Sequence, residues 1–591
     1  MHGLTARHSL GIGVSVALAL APSLAVSIPA ASASQHGSAQ HLTLTGFFTP
    51  RNVTSSGELA PSIDQVPPHS PLNKSLRHVP SAGVAKIAGN NISDSANTAA
   101  AWNGISHYDQ RIAGAGVYTD TQFSLEPPDQ GLCVGNGMVV EAVNNAYRVY
   151  DTSGNPLTAV IPLSQFYGLA PEVVRPAGPY GPFISDPKCY YDPDTNRFFL
   201  TELELEVNST TGAFAGPSDQ LIAVTSGGDP TGTWADYSFS TTDTRAGCPC
   251  FGDQPLIGAD ANGFYIATNE YGVSTSAYYG AQLYAISKSA LAANAVHPAV
   301  THIDAALNTL AQGGLAYSVQ PAISPNSTYA GANGGTEYFL STTDWSTGPA
   351  IGIRANTVEV WALTNTSSLA GAPSLALSNI ALPSEEYSQP PNAQQEAGAT
   401  PLGTSVHDTL ELLDTNDDRM NQVVFADGLL WAGANSAVKP PNGPTVAGIA
   451  YFVVNPSDAT GTLTASMATE GFIGASNEYV MFPSIGVTPG GQAVVAFSLT
   501  GSDRHPSAAY ARLSLATGAG DIHVAAAGAL ADDGFTGYDE ITPSNGSARW
   551  GDYSAAVSDL SGNIWMATEY IPNGPRTLFA NWGTYVSEVA P

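Results

Sequence analysis

Five aspartates each open a strand-like run: Asp129, Asp186, Asp253, Asp418 and Asp552. A second set of acids ends a following run beside an aromatic ring, at Glu270-Tyr271, Asp344-Trp345 and Glu569-Tyr570, with Glu202 and Glu204 in the corresponding place. Two chemistries use such residues. Carboxylates drawn to one point repel one another unless a cation joins them, and Ca2+ is the ordinary extracellular remedy. On that reading Asp129, Asp186, Asp253, Asp418 and Asp552 are the candidate metal ligands. Alternatively, two carboxyl groups a few ångströms apart, one of them held protonated by burial, hydrolyse a glycosidic bond. Glu270, Glu569 and Asp344 are the candidates for that role. Tyr271, Trp345, Tyr570 and Glu202 are the candidate ligand-binding residues, because aromatic faces stack on sugar rings while acids bond their hydroxyls. The simplest alternative is that each blade-opening Asp accepts N–H bonds within its own turn.

Other chemistries find less support. A sialidase holds its substrate carboxylate with clustered arginines, whereas Arg197, Arg245, Arg354, Arg419, Arg504, Arg512 and Arg549 are scattered among acids. No G-x-S-x-G elbow is present. His407 and His505 stand in polar loops and read as solvated turn residues. The run Asp414-Thr415-Asn416-Asp417-Asp418 carries alternating oxygen donors but lacks the Gly and distal Glu of an EF-hand.

Positioning these residues falls to short strands. Gly and Pro number 60 and 42, and only 12% of residues are charged, a balance that favours strands and turns over helices. A motif of strand, Asp/Gly turn and second strand recurs from Asp129, Asp186, Asp253, Val319, Asp418, Met481 and Asp552. Clear copies are Gly252–Tyr271, with its turn at Asp260-Ala261-Asn262-Gly263, and Gly551–Tyr570, with its turn at Asp559-Leu560-Ser561-Gly562. One long step leaves room for an insertion between 383 and 415. Near-equal units of this size predict an all-β, seven-bladed β-propeller of four-stranded antiparallel blades. A two-sheet sandwich is the competing fold, and it leaves the repeat unexplained. Ring closure is expected from a strand around 114–118 pairing beside Thr584-Tyr585-Val586.

The division expected is a signal peptide over 1–33, a largely flexible low-complexity arm over 34–110, and the propeller over 111–591. Arg7, the apolar run from Leu10 to Val26 and Ala31-Ser32-Ala33 form a secretory signal with an A-x-A site. Export then allows disulfides among Cys133, Cys189, Cys248 and Cys250, with three pairings open. The formal net charge of −30 argues against a nucleic-acid partner. The mature chain is expected to be secreted, monomeric and without a membrane span.

The stretches Leu413–Met420, Phe482–Val487 and Arg549–Ser554 are similar to signatures of a group of secreted bacterial β-propeller proteins with no established activity. Val149–Asn155 and Asp229-Pro230-Thr231-Gly232-Thr233-Trp234 resemble the same group, over roughly 125 to 588. The resemblance implies a propeller broadly like the sialidase fold and implies no chemistry. The functional expectation is an extracellular module that binds carbohydrate, another polymer or a surface protein, compatible with Ca2+. Its alternative is a glycoside hydrolase or polysaccharide lyase with paired carboxylates on the channel face.

Overall fold

Aromatic and β-branched runs bounded by Asp, Asn and Gly fold here as hairpins whose turns are locked from within. Asp260 Oδ1 accepts the N–H groups of Asn262 at 2.8 Å and Gly263 at 2.6 Å, and Tyr265 donates its hydroxyl to the same oxygen at 3.0 Å. Asp559 does the same for Ser561 and Asn563, while its Oδ2 takes the Trp565 indole N–H at 3.1 Å. In both copies an aromatic of the following strand reaches back to the turn aspartate, which fixes the hairpin register. Asp229 caps the loop at Thr231, and Trp234 donates to the Pro230 carbonyl, so that motif is a structural turn.

The computed structural model describes residues 40–54, 64–68, 85–245, 248–275, 277–310, 313–325, 328–343, 355–409, 412–441, 443–542 and 546–591. The signal segment 1–33, Asp344 and Trp345 lie outside these described residues. The fold is all-β. Seven antiparallel four-stranded meanders begin with inner strands Gly131–Gly135, Phe183–Asp192, Cys250–Ala259, Gln320–Ile323, Met420–Ala426, Glu478–Val487 and Ala555–Ser558. Each inner strand touches the next, and the last touches the first, so the meanders close into a propeller. We number the blades 1 to 7 in that order. Apolar layers fill the space between neighbours: Trp234 packs on Tyr147 and Phe166 between blades 1 and 2, and Trp431 lies in the layer between blades 5 and 6.

Closure differs from the sequence expectation. The outer strand of blade 7 is Thr98–Ser106, paired antiparallel with Gly583–Val589, whereas Gly116–Tyr118 is a single 3-10 turn. Other parts of the supposed flexible arm are also strands. Thr43–Phe48 extends blade 2 beyond Trp234–Ser240, Gln40–His41 extends blade 3, and Ala85–Lys86 and Ile92–Ser93 pair beside blades 5 and 6. Three of these pieces cover outer edges that would otherwise present unpaired N–H and C=O groups, whereas Ala85–Lys86 pairs with Val438–Lys439 at the end of the second strand of blade 5. The N-terminal segments add apolar anchors as well as backbone pairing, with Leu42 and Ile105 fully buried, Phe48 packed on Phe166 and Trp102 on Trp565, spaced too sparsely among small and polar residues to advertise a strand.

The disulfides are Cys133–Cys189, joining the inner strands of blades 1 and 2, and Cys248–Cys250 at the entrance to blade 3. No helix among the described residues is long and apolar enough to cross a membrane.

Candidate functional site

Three inner strands carry a bulge at an X-Pro step: Asp186-Pro187, Gln254-Pro255 and Phe482-Pro483. The residue before each proline is left-handed, with φ of 63°, 47° and 58°. Asp tolerates this region better than most residues, and such positions gather where a side chain must be re-aimed. The alignment corrects the sequence register, because Gln254 and not Asp253 occupies the place of Asp186. A second repeated device ties blades together. Asn144, Asn269 and Asn435 accept the backbone N–H of Asp186, Ser318 and Phe482 in the next blade, at 2.8, 2.9 and 2.7 Å.

Of the five blade-opening aspartates, Asp129, Asp186 and Asp552 converge, each offering a carboxylate oxygen within 4.8 Å of the others. Asp253 and Asp418 do not join this group. Asp253 stands within electrostatic reach of Tyr271, and Asp418 is buried in the loop leading to blade 5. Asp129 Oδ2 accepts from Asn144 Nδ2 at 2.8 Å and its Oδ1 from the Asp552 N–H at 2.8 Å, which stitches blade 7 to blade 1. Arg549 pairs with Asp552 at 2.6 Å, and Asn416 donates to its other oxygen at 3.2 Å. Lys188, two residues after Asp186, lays its ammonium over the Tyr553 ring. Tyr553 in turn donates to the Pro187 carbonyl at 3.1 Å.

Burial sets the protonation of this cluster. It holds the Asp129 carboxyl well above its ordinary range, helped by the charges of Asp552 and Asp186. Glu202 is held up in the same way, by burial first and then by Asp186, Glu172 and Asp129. Neither Glu202 oxygen has a hydrogen-bond partner among the described residues. Burial pulls Lys188 down to about 7 despite the three aspartates beside it. The site therefore sets two carboxyls raised above their ordinary range beside an ion-paired one, the separation of roles that acid–base chemistry needs.

The channel next to this cluster is narrow. A cavity of about 30 Å3 is lined by Gln130, Lys188, Gln254, Gln320, Gln422 and Tyr553 among others. That holds about two waters. The hub wall mixes amides and one lysine with apolar side chains such as Leu132, Leu256 and Ile323, and the acids sit at its blade 7, 1 and 2 side.

The remaining sequence candidates lie elsewhere. Glu270 is buried on blade 3, accepts from Thr268 Oγ1 at 2.9 Å and is pushed up to about 8 by burial. Glu569 accepts the Gly551 N–H at 2.8 Å and is raised by burial, with Asp532, Asp129 and Glu126 adding to the effect. Tyr271 packs against Phe251 and Tyr278, and Tyr570 donates to Asn103 at 2.5 Å; both rings are buried. Arg419 holds Asp417 through two bonds of 2.7 Å, and Tyr317 donates to the same carboxylate. Sequence reasoning missed Lys188 and Tyr553 as site members, although Lys188 stands two residues after the candidate Asp186 and Tyr553 lies within the Arg549–Ser554 stretch.

No family model matches the chain, and no curated protein matches it. Among solved structures it is similar to a protein of unknown function from Dyadobacter fermentans, at 12% identity, 71% of this chain, 97% of that one and a TM-score of 0.33. An α-L-arabinanase from Penicillium chrysogenum gives 11% identity, 71% and 95% coverage and a TM-score of 0.30. The endosialidase of phage phi92 gives 9%, 68% and 66% coverage and 0.33. Likeness at this level assigns neither family nor activity, and the propeller assignment stands on the closed cycle of inner strands.

Proposed function

We propose that the chain is a carbohydrate-active propeller that hydrolyses a glycosidic bond of a neutral glycan at the Asp129–Asp186–Asp552 cluster. One observation carries this reading: the buried Asp129 carboxyl, raised well above its ordinary range, lies with an oxygen within 4.8 Å of the arginine-paired Asp552. Asp129 gives its proton to the leaving glycosidic oxygen. Asp552 stabilises positive charge at the anomeric carbon, to which water then adds, its proton returning to the Asp129 carboxylate. Substrate approaches from the side of Asp552 and Arg549, whose side chains are 19% and 27% exposed. With one arginine and one lysine at the cluster, recognition of an acidic sugar is disfavoured.

A specific observation favours a second reading, an extracellular binding module without turnover. Asp129 and Asp186 are only 2% and 4% exposed, and the adjoining cavity is too small for a sugar ring. The two disulfides fit an oxidising, extracellular setting under either reading. The test is release of reducing ends from a panel of neutral polysaccharides, together with a glycan array. Turnover that falls at least about a hundred-fold in Asp552→Asn and Asp129→Asn, with melting unchanged, supports hydrolysis. Glycan binding without turnover assigns the second reading, and neither binding nor turnover overturns both.

A further inference from the structure

Away from the axis, the added strand Thr43–Phe48 and the loop after Leu163–Phe166 enclose a crevice of about 250 Å3 against one face of blade 2. Its walls combine two chemistries. Phe47, Phe48 and Tyr167 are aromatic, and Phe47 is 60% exposed although it belongs to a paired strand. Asp236 and Glu204 supply carboxyls, with Ser238 between them and the opening. No lining residue is Lys, Arg or His. Asp236 is 3% exposed, and its Oδ1 has no hydrogen-bond partner among the described residues. An unpaired buried carboxylate oxygen costs free energy that a structure normally recovers through a partner.

We propose that this crevice is a binding site for an organic ammonium ion, seated between the Phe47 ring and the Asp236 and Glu204 carboxyls. The ammonium group donates to Glu204 and lies beside the Asp236 carboxyl, and its adjoining CH2 or sugar carbons cover the aromatic faces. Burial pushes Asp236 up to about 8 and Glu204 to about 7, which is what carboxyls do when a low-dielectric pocket lacks a counter-ion. A bound cation supplies that counter-ion. A neutral sugar stacks on Phe47 equally well but leaves both carboxyls uncompensated, so charge is the discriminating feature. The inference is independent of the axial cluster, since none of these residues belongs to it.

The ammonium group can come from an amino sugar or from a polyamine. Calorimetric or NMR titration of the full mature chain at pH 7.5 with glucosamine, putrescine and N-acetylglucosamine separates these sources. The expected result is saturable binding of glucosamine, putrescine or both, and none of N-acetylglucosamine. Asp236→Asn should weaken binding by about ten-fold or more. Should that variant unfold, Glu204→Gln and Phe47→Ala, which alter more accessible positions, should each weaken it by at least about three-fold. Binding of glucosamine alone assigns an amino sugar, and binding of putrescine alone a polyamine. Absence of binding by both ammonium ions, equal binding of N-acetylglucosamine, or unchanged affinity in folded variants overturns the proposal.

Discussion

At the scale of single residues, Lys188 decides how the converging aspartates behave. Three carboxyls within 4.8 Å of one another would ordinarily recruit a cation such as Ca2+, and oxygen donors of this kind suit it. Here the guanidinium of Arg549 and, in its protonated fraction, the Lys188 amine that burial pulls down to about 7 already face the cluster with positive charge. Removing one of them should create a demand for a replacement. Lys188→Met is therefore expected to gain Ca2+-dependent stability, with calcium raising its melting temperature by several degrees while leaving the parent chain nearly unchanged. Differential scanning fluorimetry with and without chelator checks this. A chelator-sensitive parent would show that the metal, and not the lysine, balances the acids. The sequence made the aspartates legible, because their spacing is visible without structure. It concealed Lys188, since one lysine after a proline carries no periodic signal. It also placed Asp253 one residue away from its structural counterpart, because a bulge shifts register without changing composition.

At the scale of elements, the hairpins were the most readable feature. Asp-Gly turns followed by apolar strands announce themselves, and the aspartate-to-aromatic locks at Asp260–Tyr265 and Asp559–Trp565 show why the pattern repeats. The added outer strands were unreadable for the opposite reason, since their few apolar anchors, such as Phe48 on Phe166 and Trp102 on Tyr150 and Trp565, stand among small and polar residues. Thr98–Ser106 is the most consequential of them. Gly104 in this strand packs directly on the carboxylate of Glu141 and the hydroxyl of Thr584, so that a Cβ has no room. Glu141 is itself buried and accepts from the Ile105 N–H and the Tyr150 hydroxyl. Gly104→Ala should displace the strand and cost about 1–3 kcal/mol. Chemical denaturation should show a lower midpoint, and proteolysis should become faster between blades 7 and 1. An unchanged midpoint would mean that the strand contributes little to closure.

For the molecule as a whole, the interior is unusually rich in carboxyls. Burial holds Glu172, Glu204, Glu359, Glu478 and Asp532 near 7 and Asp236 and Glu270 near 8, and it raises Glu202, Glu337 and Glu569 well above their ordinary range. The folded chain retains these protons at pH values where the unfolded chain has lost them. Stability should therefore fall as pH rises from about 5 to 8. His107 opposes this between about pH 3 and 6.5, reaching into the lower part of the window, because burial depresses it to about 3 while the unfolded chain takes up its proton near 6.5; the many raised carboxyls outweigh this single group. Calorimetry across this window should show the highest melting temperature near pH 5, and a maximum at pH 8 would refute the argument. The acidic composition was plain from the sequence, but the fraction of acids buried without a cationic partner was not.

The seventh blade draws on both ends of the ring, taking Thr98–Ser106 together with three strands after Ala555. A nascent chain emerging from its N-terminus thus builds an open arc whose first and sixth blades each show an uncovered face until the last residues arrive. Contacts spanning more than four hundred positions are slow to find. During synthesis the unfinished arc is the form most exposed to proteases and to self-association.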